Sequence, residues 1–306
     1  MRAMTYSEYG VPEALEPTEQ PRPKVAPGSV LIRVERAAVN PVDWKLMQGY
    51  LDPLLDVVFP VVPGWDVAGV IEEVGMDVPE FSPGDRVAAY ARKDFVHGGT
   101  YAEYVSLRAA DVARIPEGVD FVQAAGLPLA GLTALRTLEQ LELSSQDTLL
   151  IHAASGGVGH IAAQLAVEAG ATVIGTASER NHEKLRAVGA APVTYGEGLE
   201  DRVREIAPEG VTAVADFAGE VLEQSRAVLT QGGRLASILD GGFLEHGGQL
   251  IWVRPDAVRL EHLLSKIAEG KLSVEIDSTY PLEQAAEAMR RNMEGSSGKV
   301  IIDVTR

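Results

Sequence analysis

Short apolar and β-branched runs separated by turn residues characterise the chain before Asp120. Val30–Val34 and Ala68–Val74 are two such runs, and Pro-Gly pairs at positions 27–28, 63–64 and 83–84 punctuate this region. β-branched residues favour strands, and Pro-Gly pairs are typical of tight turns. The pattern predicts a small β-barrel or sandwich.

Beyond Asp120, apolar runs of strand length alternate with segments of helical spacing. The segment Val158–Glu168 has the helical pattern, and a polar helix ends near Val188. Strands that alternate with helices predict a parallel sheet with helices on both faces. The predicted strands are Thr148–Ala153, Thr172–Thr176, Pro192–Tyr195, Thr212–Phe217 and Arg234–Leu239.

The last fifty residues return to a mixed pattern, with helices at Val258–Glu269 and Leu282–Met293 and strands at Leu272–Ile276 and Val300–Val304. We expect this tail to rejoin the first domain. A chain of 306 residues exceeds the size, about 250 residues, at which a single core usually divides. The sequence therefore predicts two domains.

Composition and charge exclude several kinds of site and partner. The chain has no cysteine, which rules out disulfides, thiolate metal sites and cysteine nucleophiles. A net charge of -17 disfavours nucleic acids and anionic membranes as partners. No apolar run approaches the roughly 20 residues of a membrane span, and the start MRAMTYSEYG lacks the apolar core of a secretory signal. We expect a cytoplasmic protein.

The glycine-rich segment His152–Gly159 follows a predicted strand and opens a predicted helix. Glycines there allow a tight turn and a close approach of backbone N–H groups to a pyrophosphate, and a helix N-terminus adds partial positive charge. The alternative is a plain glycine-rich turn between a strand and a helix. The predicted cofactor-binding residues of this loop are Ser155, Gly156, Gly157, Val158 and Gly159.

The end of the next strand indicates which nucleotide is bound. NAD sites normally carry Asp or Glu there to hold the ribose hydroxyls, whereas this chain has Gly175-Thr176-Ala177-Ser178. Arg180 follows, and an arginine can bind a 2′-phosphate with its forked guanidinium. Ser178 and Arg180 therefore predict NADP(H) as the cofactor. A solvated arginine at a helix start is the alternative for Arg180.

Five sequence blocks follow one another in a characteristic order: Ala38–Asp43, Pro63–Gly69, Gly84–Val87, Gly99–Tyr104 and Ala154–Gly159. In this order they resemble the medium-chain dehydrogenase/reductase family, in its zinc-independent, quinone oxidoreductase (zeta-crystallin-like) branch. The resemblance covers nearly the whole chain and implies a GroES-like β-barrel domain, residues 1–121 and 256–306, and a Rossmann domain with a doubly wound parallel sheet, residues 122–255. It implies that the cofactor lies in the cleft between them.

The resemblance also implies that no catalytic zinc is held. The positions at which the zinc branch has Cys, His and Cys are similar to Asn40, Trp65 and Leu129 here, and the six histidines form no ligand motif. Without a metal, hydrogen-bond or proton donors must stabilise the oxyanion that follows hydride transfer. Conjugated acceptors such as quinones, enones and enoyl thioesters suit this chemistry.

Candidate catalytic residues come from the same resemblance. Tyr50 is a predicted proton donor, offset by about one residue from the family's tyrosine, and packing on substrate or on Leu51 and Leu54 is the alternative. Asn40 resembles a residue beside the nicotinamide that can donate a hydrogen bond; a turn residue before Pro41 is the alternative. Asp43 and Asp66 are expected to organise polar contacts.

Four further positions are predicted to contact the cofactor. Thr133 resembles a threonine at the nicotinamide ribose or phosphate, with a hydroxyl bonded to its own helix as the alternative. Tyr195 resembles a tyrosine near the 2′-phosphate, and Leu239 fits the nicotinamide crevice. Lys299 could reach the cofactor or be a solvated strand-end lysine.

Three functions remain open from the sequence. The first is an NADPH-dependent quinone or enone reductase, and the second is an enoyl-thioester reductase of a biosynthetic pathway. The third is a weakly catalytic NADPH-binding structural protein or sensor. A homodimer is expected, paired through a sheet edge near Leu250–Val253.

Overall fold

The computed structural model describes all residues from Met1 to Arg306, in two compact units. The first unit contains Met1–Leu129, Arg254–Gly270 and Ile276–Arg306. The second contains Ala130–Val253 and Lys271–Glu275. No helix has the length and apolar character that a membrane span requires.

The strands and helices follow in chain order. The strands are β1 (Arg2–Thr5), β2 (Glu16–Glu19), β3 (Ser29–Val39), β4 (Asp56–Val57), β5 (Asp66–Val74), β6 (Arg86–Tyr90), β7 (Phe95–Val96), β8 (Tyr104–Arg108), β9 (Val112–Arg114), β10 (Thr148–His152), β11 (Thr172–Thr176), β12 (Ala191–Val193), β13 (Val211–Asp216), β14 (Leu229–Ser237), β15 (Gln249–Leu250), β16 (Ile276–Pro281) and β17 (Lys299–Asp303). The helices are α1 (Pro41–Met47), α2 (Phe121–Gly126), α3 (Pro128–Gln140), α4 (Gly157–Glu168), α5 (His182–Ala187), α6 (Leu199–Ile206), α7 (Leu222–Val228), α8 (Ala257–Ala268) and α9 (Ala285–Met293).

A seven-stranded sheet forms the centre of the first unit, in the order β16-β17-β3-β5-β6-β9 with β8 also paired to β3. One edge of β3 pairs with β8 over Ser29–Arg33 and with β17 over Arg36–Val39. Its other edge pairs with β5, and two register shifts in that pairing allow the sheet to bend. The register places Ala38 opposite Asp66 and Val39 opposite Val300. Residues 40, 66 and 299 therefore meet at one end of this sheet.

The second unit is a six-stranded sheet in the order β12-β11-β10-β13-β14-β15, and every pair is parallel. This is the doubly wound order 3-2-1-4-5-6, whose order reverses between β10 and β13. Buried side chains such as Leu150, Ile174 and Val214 form its core. The predicted parallel sheet is confirmed.

One predicted strand and one predicted domain boundary differ from the structure. The strand predicted at Leu272–Ile276 begins only at Ile276, as β16; the side chain of Gln164 bonds both the N–H and the carbonyl of Ser273 at 2.9 Å and holds Lys271–Glu275 on the second unit. The predicted boundary at 121–122 also differs, since the first unit extends to Leu129. The reason is that α2 packs on β3 and β5 through its buried Ala124 and Ala125.

Candidate active site

The glycine-rich loop connects β10 to α4 in the second unit. Ala153 has φ 53°, and the amide of Ala154 donates to the carbonyl of Thr176 at 2.9 Å, so the loop is anchored to the end of β11. α4 begins at Gly157 with Gly156 as its N-cap. Helix geometry leaves the first N–H groups of α4 without partners inside the helix, and those groups can bind an anion.

The third glycine of the loop is required by packing. A Cβ atom on Gly159 would lie 2.3 Å from the carbonyl oxygen of Ala153 and 2.7 Å from Cα of Ala154, both backbone atoms. A Cβ on Gly156 would meet nothing closer than 3.3 Å. The loop therefore has the close strand-to-helix approach of a pyrophosphate cradle, and its residues fit a dinucleotide.

The end of β11 carries hydroxyl and amide groups but no buried carboxylate. Ser178 is half-buried, whereas Glu179 and Arg180 are exposed, and Arg180 makes no ion pair. The buried amide of Asn181 donates to the hydroxyl oxygens of Ser155 at 3.3 Å and of Ser178 at 3.2 Å. Asn181 thus joins the phosphate loop to the second strand end. Sequence reasoning missed this residue, although its position just after Arg180 was a usable signal.

A second buried anchor lies where the strand order reverses. Asp216, at the end of β13, accepts from the amides of Ala218 at 2.8 Å and Gly219 at 2.9 Å and from the hydroxyl of Ser237 at 2.7 Å. The Ser237 oxygen accepts in turn from the amide of Leu239 at 3.1 Å. Asp216 therefore shapes both loops at the carboxyl ends of β13 and β14, where doubly wound sheets bind ligands. Sequence reasoning missed it as well.

His152, the last residue of β10, is neutral at pH 7. Burial lowers its pKa to about 4, although the neighbouring Asp216 acts in the opposite direction. Ser225 donates its hydroxyl to the carbonyl of Val221 at 2.8 Å, so His152 Nε2 is the donor in its 3.0 Å contact with Ser225. The ring supports the start of the phosphate loop and carries no charge towards it.

The other predicted cofactor residues of the second unit have different exposures. Thr133 is buried in α3, but its hydroxyl makes no bond to its own helix; Thr137 instead donates to the carbonyl of Thr133 at 2.8 Å. Tyr195 and Leu239 follow β12 and β14 and are 60% and 47% exposed. Their cofactor contacts stay predictions.

A buried polar cluster occupies the end of the first unit's sheet. Asn40 Nδ2 donates to Asp66 Oδ2 at 2.9 Å, and Lys299 Nζ donates to Asn40 Oδ1. Lys299 Nζ also lies 3.3 Å from the carbonyl of Val39 and 3.5 Å from Asp66 Oδ2. Burial lowers the pKa of Lys299 and raises that of Asp66, and each charge opposes the shift of the other.

This cluster changes the interpretation of Lys299. The residue is 4% exposed, so a solvated strand-end lysine is wrong. The sheet register buries its side chain beside Asn40 and Asp66. Its ammonium group donates to Asn40 and to the carbonyl of Val39 and forms an ion pair with Asp66. The predicted contact of Lys299 with the cofactor gains no support from this geometry.

Asp43 extends the same cluster from the first turn of α1. Its Oδ2 accepts from the backbone N–H of Asn40 at 2.8 Å and from the hydroxyl of Tyr101 at 3.1 Å. Its buried Oδ1 has no hydrogen-bond partner. Burial raises the pKa of Asp43 to about 7; the charge of Asp66 adds to this effect, while the Asn40 amide, Lys299 and Tyr101 reduce it.

The three positions similar to zinc ligands do not fit a metal. Asn40 Oδ1 is bound to Lys299, Trp65 packs edge-on against Tyr90 with ring centroids 6.0 Å apart, and Leu129 contributes its backbone amide to Asp66 Oδ1 at 2.8 Å. No group of three or more His, Asp or Glu side chains is arranged to hold a metal ion.

Tyr50 lies in the turn after α1 and is 68% exposed. Its hydroxyl makes no hydrogen bond within the chain. An exposure this high does not support the alternative that Tyr50 packs on Leu51 and Leu54. Leu54 is itself 69% exposed. The geometry leaves the hydroxyl open to solvent, and its catalytic role stays a prediction.

Two family models match the chain. Residues 26–117 match the alcohol dehydrogenase GroES-like domain, and residues 188–302 match a domain described as zinc-binding dehydrogenase. Together with the sheet orders above, these matches confirm the predicted GroES-like and Rossmann domains.

Similarity to individual proteins extends over the full chain. A chloroplast envelope quinone oxidoreductase homolog of Arabidopsis thaliana is 33% identical, over 99% of this chain and 98% of the relative. A chloroplastic NADPH-dependent alkenal/one oxidoreductase of the same plant is also 33% identical, over 99% of this chain and 79% of the relative. The structure of the quinone oxidoreductase from Coxiella burnetii is 34% identical, with a TM-score of 0.89 and 99% of each chain covered.

Proposed function

The chain belongs to the medium-chain dehydrogenase/reductase family, of the quinone oxidoreductase type, and from this premise we propose that it is an NADPH-dependent, zinc-independent reductase of quinones or α,β-unsaturated carbonyls. Its relatives support an oxidoreductase that uses a nicotinamide cofactor. We infer two further properties, which are the preference for NADPH over NADH and the chemical class of the hydride acceptor.

The observation that carries the proposal is the end of β11. Where an NAD site has a carboxylate, this chain has Ser178, and the exposed, unpaired guanidinium of Arg180 follows. A free forked cation two residues after the hydroxyl of Ser178 suits a 2′-phosphate, which a carboxylate would repel. Asn181 donates to both Ser155 and Ser178, so it links the loop proposed for the pyrophosphate to the strand end proposed for the 2′-phosphate.

The proposed acceptor follows from the first unit's polar cluster. With Asn40 Oδ1 bound by Lys299, and with Trp65 and Leu129 unable to supply ligands, the chain offers no Lewis acid to polarise an isolated carbonyl. A quinone or enone delocalises the negative charge that hydride addition creates. Hydrogen-bond donors are then sufficient to stabilise the oxyanion.

When bound, NADPH supplies the hydride. The chain's own residues bind the cofactor, stabilise the acceptor oxygen and deliver a proton. Asn40 has one Nδ2 hydrogen beyond the one donated to Asp66, and it is the proposed donor to the acceptor oxygen. The free hydroxyl of Tyr50 is the proposed proton donor.

Side-by-side fluorescence titrations with NADPH and NADH test the cofactor assignment. Arg180→Ala should weaken NADPH binding by about tenfold to a hundredfold and leave NADH binding unchanged, because only NADPH carries the 2′-phosphate. Arg226→Ala is the matched control, since Arg226 is an exposed arginine of α7 in the same unit that pairs with Glu223. Equal losses for both nucleotides in Arg180→Ala would contradict the assignment.

A panel of quinones, enones and enoyl thioesters tests the acceptor class, with NADPH oxidation followed by the loss of its absorbance. Turnover of quinones or enones supports the proposal. Turnover confined to enoyl thioesters would favour the biosynthetic alternative. NADPH binding without turnover of any electrophile would favour a structural or sensor protein.

We also propose a cytoplasmic homodimer. β15 is the terminal strand of the parallel sheet, and Leu250 and Trp252 beside its free edge are 45% and 54% exposed. An exposed apolar strand edge favours pairing with another copy across a two-fold axis. A monomer mass in light scattering would contradict the dimer.

A further inference from the structure

Three side chains from separate elements form one cluster that is almost entirely buried. Lys299 begins β17, Asp66 begins β5, and Asn40 follows β3; they are 4%, 0% and 2% exposed. The two charged groups hold opposite ends of a single amide. Asn40 Oδ1 accepts from Lys299, and Asn40 Nδ2 donates to Asp66 Oδ2.

The two charges permit only one orientation of this amide. An ammonium group can only donate, and a carboxylate can only accept. Rotating the Asn40 amide by 180° would bring its NH₂ against Lys299 and its oxygen against Asp66, so both contacts would become repulsive. Neither charge can move away, because Val39 and Leu129 hold them through backbone groups at 3.3 Å and 2.8 Å.

Stability alone does not account for such an arrangement. Replacing a buried ion pair by apolar residues of similar volume is often neutral or stabilising, because each charge loses its hydration. What the ion pair does achieve is to fix the orientation of the Asn40 side-chain amide. The second Nδ2 hydrogen, which is not bonded to Asp66, then has a fixed direction.

We propose that Lys299 and Asp66 are positioning residues that orient the Asn40 amide as the hydrogen-bond donor to the hydride acceptor. This inference rests on the proposed function. It assigns Lys299 no contact with substrate or cofactor: its effect on the reaction passes entirely through Asn40.

A double-mutant cycle tests this coupling. Asn40→Ala removes the donor, and Lys299→Met removes the cation but keeps a side chain of similar length. Loss of a single preorganised donor lowers kcat by about 10²- to 10³-fold, and we expect each single variant to show most of that loss. The double variant should be no slower than Asn40→Ala alone, because Lys299 has nothing left to position.

The expected effects are confined to kcat. NADPH affinity should be unchanged in every variant, because the phosphate loop belongs to the second unit. Lys266→Met is the control, as Lys266 lies on α8 of the same unit outside the cluster. A kcat for Lys299→Met equal to that of the wild type, or losses that multiply in the double variant, would overturn the proposal.

A second readout does not depend on turnover. In ¹⁵N-edited NMR spectra, the two Nδ2 protons of Asn40, assigned by their absence in Asn40→Ala, should be well separated in the wild type and should lose that separation in Lys299→Met. Two Asn40 proton signals that stay equally well separated in Lys299→Met would overturn the proposal. If the wild type reduces no electrophile, the proposed function fails, while this spectrum still decides whether Lys299 fixes the amide.

Lys299→Met leaves Asp66 as a buried charge without its cation, which can prevent folding. Lys299→Met/Asp66→Asn removes both charges and takes the place of the single variant in that case. It should fold, lose kcat to the same extent and show the averaged Asn40 amide signals. Retention of full kcat in this variant would overturn the proposal.

Discussion

Asp43 gives the sharpest prediction of pH dependence in this molecule. Oδ2 accepts two hydrogen bonds, from the backbone N–H of Asn40 and from the Tyr101 hydroxyl, whereas the buried Oδ1 has no partner. Oδ1 is therefore the atom that can carry a proton. Asp43→Asn reproduces the protonated form, with the amide oxygen in place of Oδ2.

The magnitude follows from the pKa of Asp43. Burial raises it from the ordinary value of 3.8 to about 7, with the charge of Asp66 as an additional cause. Between these values the folded protein binds a proton that the unfolded chain has released, so the contribution of Asp43 to stability falls as the pH rises through this range. From pH 5 to pH 8 this loss is about 3 kcal/mol, at about 1.4 kcal/mol for each pH unit below the folded pKa.

The difference between variant and wild type isolates this effect. His152, whose buried ring has a pKa lowered to about 4, adds stability as the pH rises over part of the same range, so the wild type alone can show a flat profile. Asp43→Asn should be close to the wild type in stability at pH 5. At pH 8 it should be more stable by roughly 3 kcal/mol.

Urea unfolding followed by tryptophan fluorescence measures this difference. Trp44 and Trp65 belong to the first unit and Trp252 to the second, so a Trp252→Phe background reports the unit that contains Asp43. A difference between Asp43→Asn and its parent that stays constant from pH 5 to pH 8 would refute the reasoning.

Asp147→Asn is the matched control in the second unit. Burial acts to raise the pKa of Asp147, but hydrogen bonds from Thr212 and Ser144 and the charge of Arg234 outweigh it and lower the pKa. Its carboxylate is then ionised in the folded protein throughout the range tested. In a background that retains Trp252, which lies in the same unit, Asp147→Asn should destabilise that unit equally at pH 5 and pH 8.

Three further predictions concern the cofactor loop and the proton donor. Gly159→Ala should destabilise the second unit by about 1–3 kcal/mol and abolish NADPH binding in a fluorescence titration, because its Cβ would lie 2.3 Å from a backbone oxygen. Gly156→Ala should have a smaller effect on both stability and binding. Asn181→Ala should raise the NADPH dissociation constant about tenfold in the same titration, because Ser155 and Ser178 lose their shared donor; an unchanged constant would show that the two hydroxyls need no support. Tyr50→Phe should lower kcat by about 10²-fold at unchanged NADPH affinity if the hydroxyl delivers the proton, and an unaltered steady-state rate would remove Tyr50 from the mechanism.

The parallel sheet was predictable because its strands are buried on both faces and read as continuous apolar runs. Thr172–Thr176 coincides with β11, and Thr148–Ala153 extends only one residue beyond β10. The segment Leu272–Ile276 also looks like a strand, because apolar residues alternate in it with Ser273 and Glu275. The backbone of Ser273 nevertheless bonds to the side chain of Gln164, more than one hundred residues away in sequence. A local pattern carries no information about such a long-range partner.

In the candidate site, too, the residues with local structural requirements were predictable from the sequence and those with long-range partners were not. The phosphate loop was predictable because a tight turn and a close helix approach impose glycine at fixed spacing, and Gly159 meets that requirement through contacts within six residues of it. Asn181 and Asp216 act through hydrogen bonds to distant loops, and Asn and Asp at such positions are also common as turn residues. Their residue type alone did not distinguish the two uses.

Lys299 shows how far residue type can mislead at the end of a strand. A lysine there is usually solvated, because burying its ammonium group costs several kcal/mol. Burial becomes tolerable only when acceptors are already fixed around the ammonium, and here the register of β17 against β3 supplies Val39 and Asn40 while β5 supplies Asp66. Three strands that are distant in sequence must pair before that environment exists. The role of Lys299 is therefore a property of the sheet, and a variant that shifts the β3–β17 register should lose the cluster even with every one of its residues retained.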